Sequence, residues 1–197
     1  MTIEVLDVCK SYNGKTVLDK VCMNISSDSL IAVTGDHGCG KTTLIRILAG
    51  LETPDSGQVN LLGDYKYAWI NAGTVFQENR LCPDFSAAVN VAMVNEKLSE
   101  KVAREELYKL LAPGRADVPA GQLTPAEGRM VSIVRACIVP SDVRFMDEPF
   151  AGMTPEEKEK AVHYLQTTIG HTPLVITCAP GEEPAGFRPF PLGEEPA

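Results

Sequence analysis

The stretch GDHGCGKTT, residues 35–43, constrains the fold of this chain more than any other part of the sequence. It follows the apolar run SLIAVTG, which predicts a buried strand, and it leads into KTTLIRILAGL, whose apolar residues have helical spacing. Glycines allow backbone N–H groups to curl around phosphate oxygens, and the N-terminus of a following helix attracts the same anion. The order of strand, glycine loop and helix therefore predicts a phosphate-binding loop.

The loop matches the pattern G-x-x-x-x-G-K-[ST] without a mismatch. In that pattern Lys41 is expected to reach the outer phosphates of a nucleotide, and the Thr42 hydroxyl is expected to ligate magnesium. About a hundred residues later, VRFMDEP places Asp147 and Glu148 at the end of an apolar strand. An acid there holds magnesium through water, and its neighbour positions an attacking water. The two motifs together predict a site for a nucleotide and magnesium.

The rest of the chain alternates predicted strands and helices. TIEVLDVCKSY and KTVLDKVCMNI alternate apolar and polar residues, and Asn13 and Gly14 between them predict a hairpin turn. Residues 86–111 are rich in helix-forming patterns, whereas PLVITCAP reads as a buried strand. The sequence therefore predicts an α/β fold of the P-loop NTPase class. It would have a mostly parallel core sheet, an N-terminal antiparallel β subdomain and a small helical subdomain.

Charge and composition exclude several functions. The net charge of −8 argues against a diffuse basic surface for nucleic acid. The N-terminus lacks the pattern of a secretory signal, and no apolar run approaches the roughly 18 residues of a membrane helix. The six cysteines form no C-x-x-C pair, which favours reduced cytosolic thiols. We therefore expect a soluble protein with no direct membrane insertion, so any membrane part must belong to another chain.

Four segments, in this order, resemble the ATP-binding cassette (ABC) ATPases, most of all the subunits that drive bacterial importers: GDHGCGKTT, VFQENRL, LTPAEGRMVSIVRA and FMDEPFAGM. VFQENRL is most similar to importers of nitrate, sulfonates and taurine. The likeness covers residues 1–180, which it implies to be one nucleotide-binding domain with residues 83–135 as its helical subdomain. Residues 181–197 are rich in Pro, Gly and Glu and predict a loose tail.

The resemblance implies a role for each residue that matches a family motif. Catalytic roles fall to Glu148, Lys41 and Gln77, and magnesium ligation falls to Thr42, Gln77 and Asp147. Tyr12 stands where the family stacks an aromatic ring on adenine. Nucleotide contacts are expected from Tyr12, Gly35, Gly38, Gly40, Lys41, Thr42 and Thr43. The implied cofactors are ATP and Mg²⁺.

The sequence departs from the family in the signature, usually L-S-G-G-Q, with which one chain closes over the ATP of its partner. Here the aligned residues read LTPAE. Pro125 removes an N–H donor, and Ala126 adds a Cβ where backbone must approach the phosphate. Glu127 brings a negative charge near a polyanion, whereas Thr124 keeps a hydroxyl that could reach phosphate. The expectation is a segment that keeps its fold and loses part of its chemistry.

Two further positions differ from the family. Cys178 stands where the family places a histidine that contacts the γ-phosphate, and a neutral thiol is only a weak donor and acceptor. Thr154 stands where the family usually has an aspartate that couples the two sites. Both differences predict slow or impaired hydrolysis.

Two functions remain open at this point. The first is an ATPase subunit of a membrane transporter, lying on the cytoplasmic face of the membrane. The alternative is a non-hydrolysing structural or regulatory subunit that pairs with a more complete ATPase chain. Both need a membrane-spanning transporter subunit and a second ATP-binding subunit, and the unequal motifs slightly favour a heterodimer over a homodimer. A soluble ABC ATPase that acts on ribosomes or DNA fits poorly with the net charge and the single short cassette.

Overall fold

The computed structural model describes residues 2–63 and 70–193. In chain order its strands and helices are β1 (Thr2–Tyr12), β2 (Lys15–Ser26), β3 (Leu30–Thr34), α1 (Lys41–Leu48), β4 (Ser56–Leu62), β5 (Ala72–Val75), α2 (Ala87–Ala92), α3 (Glu100–Leu107), α4 (Pro125–Cys137), β6 (Val143–Met146), α5 (Pro155–Thr168), β7 (Leu174–Cys178) and β8 (Arg188–Pro191). They fall into two compact units. The first comprises Met1–Thr74, Asp142–Asp147 and His171–Ala197, and the second comprises Val75–Ser141 and Glu148–Gly170.

The first unit begins with a three-stranded antiparallel sheet in the order β2-β1-β4. Tyr12 pairs with Lys15 across the turn, whose central residues Asn13 and Gly14 have φ of 51° and 79°. Positive φ at both positions belongs to the type I′ turn, which matches the twist of the strands it joins. The predicted N-terminal antiparallel sheet is confirmed.

The same unit contains a five-stranded sheet in the order β5-β6-β7-β3-β8. β3 pairs in parallel with β7 on one side and with β8 on the other, and β6 pairs in parallel with β7. β6 and β7 are buried along their whole length, which explains why VRFM and LVITC lack the alternation of a half-exposed strand. The core beside them includes Phe145, Ile31 and, from α1, Leu44 and Leu48, all at most 1% exposed. The predicted α/β fold with a mostly parallel core sheet is confirmed.

The predicted loose tail, residues 181–197, is wrong in its middle part. Arg188–Pro191 forms β8, and the Leu192 N–H continues the pairing by donating to the Thr34 carbonyl at 2.7 Å. Leu192 and Phe187 are only 6% and 7% exposed, and Phe190 packs against the core, so apolar residues anchor a segment whose composition suggests disorder. β8 tolerates its two prolines because it lies at the edge of the sheet. Residues 194–197 lie outside the described residues.

The second unit is mainly helical. Its helices are α2, α3, α4 and α5, with short 3₁₀ turns at Arg115–Asp117 and Ala120–Gln122. Ser86 and Ser99 cap the first two helices by accepting the N–H groups of Val89 and Val102. The helix-rich stretch 86–111 is therefore two short helices. Among residues 2–63 and 70–193, no helix has both the length and the apolar character needed to cross a membrane.

Candidate functional site

The phosphate loop joins β3 to α1 in the first unit. Gly35, Gly38 and Gly40 have φ of 152°, 83° and 106°, which residues with a side chain rarely adopt. At Gly40 a Cβ would lie 2.7 Å from the carbonyl oxygen of Val17 and 2.8 Å from a methyl group of Leu18. β2 thus packs directly against the end of the loop, and only glycine fits there.

Lys41 is the first residue of α1 and is only 7% exposed. Its Nζ donates to the carbonyl oxygens of Gly35 at 2.5 Å and Asp36 at 3.0 Å, so the side chain closes the loop on itself. An ammonium has three N–H donors, which leaves one for an anion. The charge also lies at the N-terminus of α1, where unpaired N–H groups give the helix its positive end. This is a favourable arrangement for phosphate.

Asp147 follows β6 and is held by two hydroxyl groups. Its Oδ2 accepts from the Thr42 hydroxyl at 2.7 Å, and its Oδ1 accepts from the Thr177 hydroxyl at 2.6 Å. Thr42 lies in the first turn of α1 and Thr177 lies in β7, with 0% of its surface exposed. Asp147 itself is 2% exposed. Both carboxylate oxygens are therefore fixed in direction, one of them toward the start of α1.

These oxygens fit magnesium. Mg²⁺ prefers oxygen ligands, keeps several waters, and usually binds through one or two protein ligands together with substrate phosphates. Thr42 and Asp147 provide two such oxygens beside the phosphate loop. Within the part of the chain that the structure describes, no group of three or more His, Cys, Asp or Glu side chains could hold a metal ion by itself. The site suits an ion that binds together with nucleotide.

Tyr12 ends β1 and is 43% exposed. Its hydroxyl donates to the Glu52 carboxylate, and the Thr43 hydroxyl bonds to the same phenol oxygen. Burial and the nearby carboxylate raise the pKa of Tyr12 above its ordinary value, so the phenol stays protonated at neutral pH. The structure thus ties the predicted adenine-stacking residue to the first turn of α1.

Gln77 lies in the second unit, in the segment that follows β5. Its side chain is exposed, while its backbone carbonyl accepts a hydrogen bond from Arg129 of α4. Arg129 also donates to the Phe76 carbonyl at 2.5 Å, and Ser132 and Arg135 donate to the Asn79 carbonyl at 3.1 and 3.0 Å. Three side chains on one helix therefore hold the backbone around Gln77 and leave its amide exposed.

The start of α4 contains residues of the segment that was expected to align with the family's signature. Thr124 accepts the N–H of Glu127 at 3.2 Å, and the Glu127 carboxylate accepts the N–H of Thr124 at 2.8 Å, which forms a capping box. Arg115 holds the same carboxylate through Nε at 2.6 Å and Nη2 at 2.5 Å, and it lowers the pKa of Glu127. The negative charge that the sequence places at Glu127 is therefore paired with Arg115 in this structure.

Glu148 is the first residue of the second unit after β6 and has a φ of 46°. A left-handed backbone costs roughly 1–2 kcal/mol for a residue with an ordinary side chain. Such strain often marks a functional position. Nearby, Thr154 caps α5 by accepting the N–H of Glu157 at 3.2 Å in a second capping box. Thr154, which replaces the family's aspartate, thus has a structural role of its own.

The first unit contains the predicted magnesium ligand Asp147 and all of the predicted nucleotide contacts: Tyr12, Gly35, Gly38, Gly40, Lys41, Thr42 and Thr43. Gln77 and Glu148 belong to the second unit. Thr177 and Arg129 were not predicted from the sequence. A threonine at the end of a buried strand carries no signal beyond its place beside Cys178. The two capping boxes were visible in principle, since TPAE and TPEE share the pattern [ST]-x-x-[DE] before a helix.

Comparison with known proteins identifies the family. The sequence profile of the family described as ABC transporter matches residues 18–151. The sulfate/thiosulfate import ATP-binding protein CysA of Pseudomonas syringae pv. tomato is 32% identical over 179 residues, which cover 84% of this chain and 55% of the relative. The spermidine/putrescine import ATP-binding protein PotA of Spiroplasma citri is 32% identical over 188 residues, which cover 89% and 54%. The chain spans about half the length of these curated relatives.

Solved structures show the same fold. A Pyrococcus furiosus protein described as an ABC transporter ATP-binding protein superposes with a TM-score of 0.86 at 18% identity, over 98% of both chains. The dimeric structure of MJ0796, a bacterial ABC transporter cassette, gives a TM-score of 0.74 at 25% identity, over 89% of this chain and 87% of the other. The arrangement of sheets and helices is therefore that of known cassettes.

Proposed function

This chain belongs to the ABC transporter family, and from that premise we propose that it is the ATP-binding subunit of an importer-type membrane transporter. The observation that carries the proposal is the arrangement of Lys41, Thr42 and Asp147 in the first unit. Lys41 places a cation inside the phosphate loop, and Thr42 and Asp147 place two oxygens 2.7 Å apart beside it. Bound with ATP, magnesium would neutralise charge on the outer phosphates, with Thr42 and Asp147 among its ligands.

The proposed subunit works in an assembly. Its domain is residues 1–180, with a helical subdomain at 83–135 and a C-terminal segment at 181–197 that includes β8. It lies on the cytoplasmic face of the membrane, beside a membrane-spanning subunit. ATP binding closes it on a second ATP-binding subunit, and Gln77 reports the nucleotide to the membrane partner. The relatives' names support import. The subclass of nitrate, sulfonate and taurine importers remains a prediction from VFQENRL.

Two observations bear on hydrolysis, and they point in opposite directions. The left-handed backbone of Glu148 supports a residue held in place for catalysis, as an attacking water requires. The capping box at Thr124 and Glu127 supports the alternative of a structural or regulatory subunit. There the N–H groups of Thr124 and Glu127 already have partners within the capping box. We propose that this chain hydrolyses ATP slowly and pairs with a more complete partner.

Binding and turnover by the purified chain test the proposal. We expect Mg-ATP to bind, and Lys41→Ala to weaken binding tenfold or more because a charge-assisted phosphate contact is lost. Turnover should be slow and should disappear in Glu148→Gln, which keeps the shape of the side chain and removes its basicity. Unchanged ATP affinity in Lys41→Ala would refute the phosphate-loop assignment. Fast turnover by the isolated chain would contradict the pairing with a more complete partner.

A further inference from the structure

The segment that follows α1, residues 52–55, holds the end of β1 through several polar contacts. The Lys10 ammonium donates to the Thr53 carbonyl at 2.9 Å and to Asp55 Oδ1 at 3.0 Å. Asp55 Oδ2 accepts the backbone N–H of Ser11 at 2.7 Å. The last residues of β1 are therefore fixed to residues that directly follow the phosphate-loop helix.

Glu52 lies at the centre of this contact. Its carboxylate accepts the hydrogen bond of the Tyr12 hydroxyl and lies 3.7 Å from the Lys10 ammonium and 3.8 Å from Arg46 of α1. The side chain of Glu52 is only 18% exposed, whereas Tyr12 as a whole residue is 43% exposed. On the other side, the Thr43 hydroxyl bonds to the same phenol oxygen. The tip of the Tyr12 side chain is thus held while the ring remains accessible.

The two faces of the ring differ. The Lys10 ammonium lies over one face, with Nζ 5.6 Å from the ring centroid, in a cation–π contact. A planar ligand would therefore stack on the opposite face. Because Thr43 is the third residue of α1, that ligand would lie close to whatever the phosphate loop binds.

We propose that Glu52 is a positioning residue for base recognition, which orients Tyr12 so that its exposed face stacks on the purine of a bound nucleotide. This inference rests on the proposed function, because it assumes that a nucleotide occupies the phosphate loop. It adds a residue that no family motif on this chain assigned. Its physical basis is that a phenol held at its hydroxyl loses little rotational freedom when a base stacks on its ring, whereas an unanchored ring must be ordered by the ligand.

A comparison of two ligands separates this role from a structural one. ATP carries a base and inorganic tripolyphosphate does not, so only ATP should depend on Tyr12. Stacking of a base on an aromatic ring contributes roughly tenfold or more to affinity. We expect Tyr12→Ala and Glu52→Ala each to weaken ATP binding by about tenfold and to leave tripolyphosphate binding within about twofold. Calorimetry with both ligands measures the ratio directly.

Three variants sharpen the test. Glu52→Gln keeps an acceptor oxygen for the Tyr12 hydroxyl and should retain most of the ATP affinity. Tyr12→Phe keeps the ring and loses the hydroxyl, so adding Glu52→Ala to it should weaken ATP binding no further. Glu4→Ala is a matched control. Glu4 lies near the other end of β1, the strand that Tyr12 ends, and its carboxylate contacts Asn60. It should leave both affinities unchanged.

The outcomes are distinct. If wild-type protein binds neither ligand, the proposed function fails and the inference falls with it. If wild type binds both ligands and Glu52→Ala lowers both affinities equally, Glu52 only stabilises the fold and the positioning role is wrong. The role is also wrong if Glu52→Ala changes neither affinity. A selective loss of ATP affinity in Glu52→Ala that Glu52→Gln largely restores supports the role.

Discussion

Replacing Thr177 by valine keeps the shape of a buried side chain and removes one hydroxyl. That hydroxyl donates to Asp147 Oδ1 at 2.6 Å, while Thr42 donates to the other oxygen of the same carboxylate at 2.7 Å. Thr177 is 0% exposed and Asp147 is 2% exposed, so water has little access to replace the lost donor. The substitution therefore leaves half of the carboxylate unsatisfied and free to turn about Thr42.

The magnitude follows from these contacts. A buried acceptor without its donor costs about 1–3 kcal/mol, with charged groups toward the upper end, so we expect a loss of about 2–3 kcal/mol of stability. In a chain of this size 1 kcal/mol shifts Tm by roughly 2–4 °C, which predicts a fall of roughly 4–12 °C. Removing a partner that orients a metal ligand typically costs 10–100-fold in metal affinity. The gain in ATP affinity that magnesium provides should therefore fall by about tenfold or more.

The assay compares the Kd of ATP in excess Mg²⁺ with the Kd in EDTA, for wild type and Thr177→Val. We expect the gain from magnesium to shrink in the variant and the Kd in EDTA to change much less. Thr177→Ser is the matched control, because it keeps the hydroxyl and loses only a methyl group, so it should retain the magnesium gain. A Thr177→Val protein that folds, binds ATP and shows the full magnesium gain would refute the reasoning.

Two other positions give predictions of their own. Glu127→Gln should destabilise the protein at neutral pH. Because Arg115 depresses the folded-state pKa of this carboxyl, the contribution is present above its ordinary pKa and is lost as pH falls through the depressed value. Thermal melts should thus show the two proteins converging in acid, and a constant difference would contradict the ion pair. Glu148→Asn should raise stability by about 1 kcal/mol, because asparagine tolerates the left-handed backbone. The same substitution should abolish ATP turnover. A lower Tm in this variant would argue against backbone strain at Glu148.

Most of the first unit was predictable from the sequence because most of its elements carry a local signal. Asn13 and Gly14 specify a hairpin whatever surrounds them, and the glycine loop specifies its own neighbours. β8 carries no such signal, because its position depends on pairing with β3, which is more than 150 residues earlier in the chain. Composition suggested disorder, and the burial of Leu192 decides otherwise.

The candidate site divides in the same way. Lys41, Thr42 and Asp147 were predicted from motifs that the chemistry of phosphate and magnesium restricts, and the structure brings Thr42 and Asp147 together. Thr177 and Arg129 act on other residues instead, one on a carboxylate and the other on the backbone around Gln77. Such roles depend on distances between segments far apart in the chain, so spacing within a motif does not reveal them.

The pattern T-P-x-E begins both α4 and α5. The residues that depart from the signature at α4 can therefore be explained by their role in starting a helix. At α4 the threonine accepts one N–H, the glutamate accepts another, and proline has none to offer. Two N–H groups at the start of α4 thus have partners within the helix, and the charge of Glu127 is balanced by Arg115. The segment that resembles a damaged signature is therefore a helix N-terminus with a capping box.

That distinction bears on pairing. A segment that had merely lost glycines would regain its function when they were restored. Here Pro125 begins the helix, and Glu127 both caps it and pairs with Arg115. Restoring Ser-Gly-Gly-Gln at 124–127 would therefore also remove the capping carboxylate and leave Arg115 without its ion-pair partner. In the same chain Lys41 lies within the phosphate loop and Thr42 contacts Asp147 beside it, as the predicted nucleotide site requires. We propose from this that the chain pairs with a different ATP-binding subunit, because in a homodimer both sites would share the altered signature.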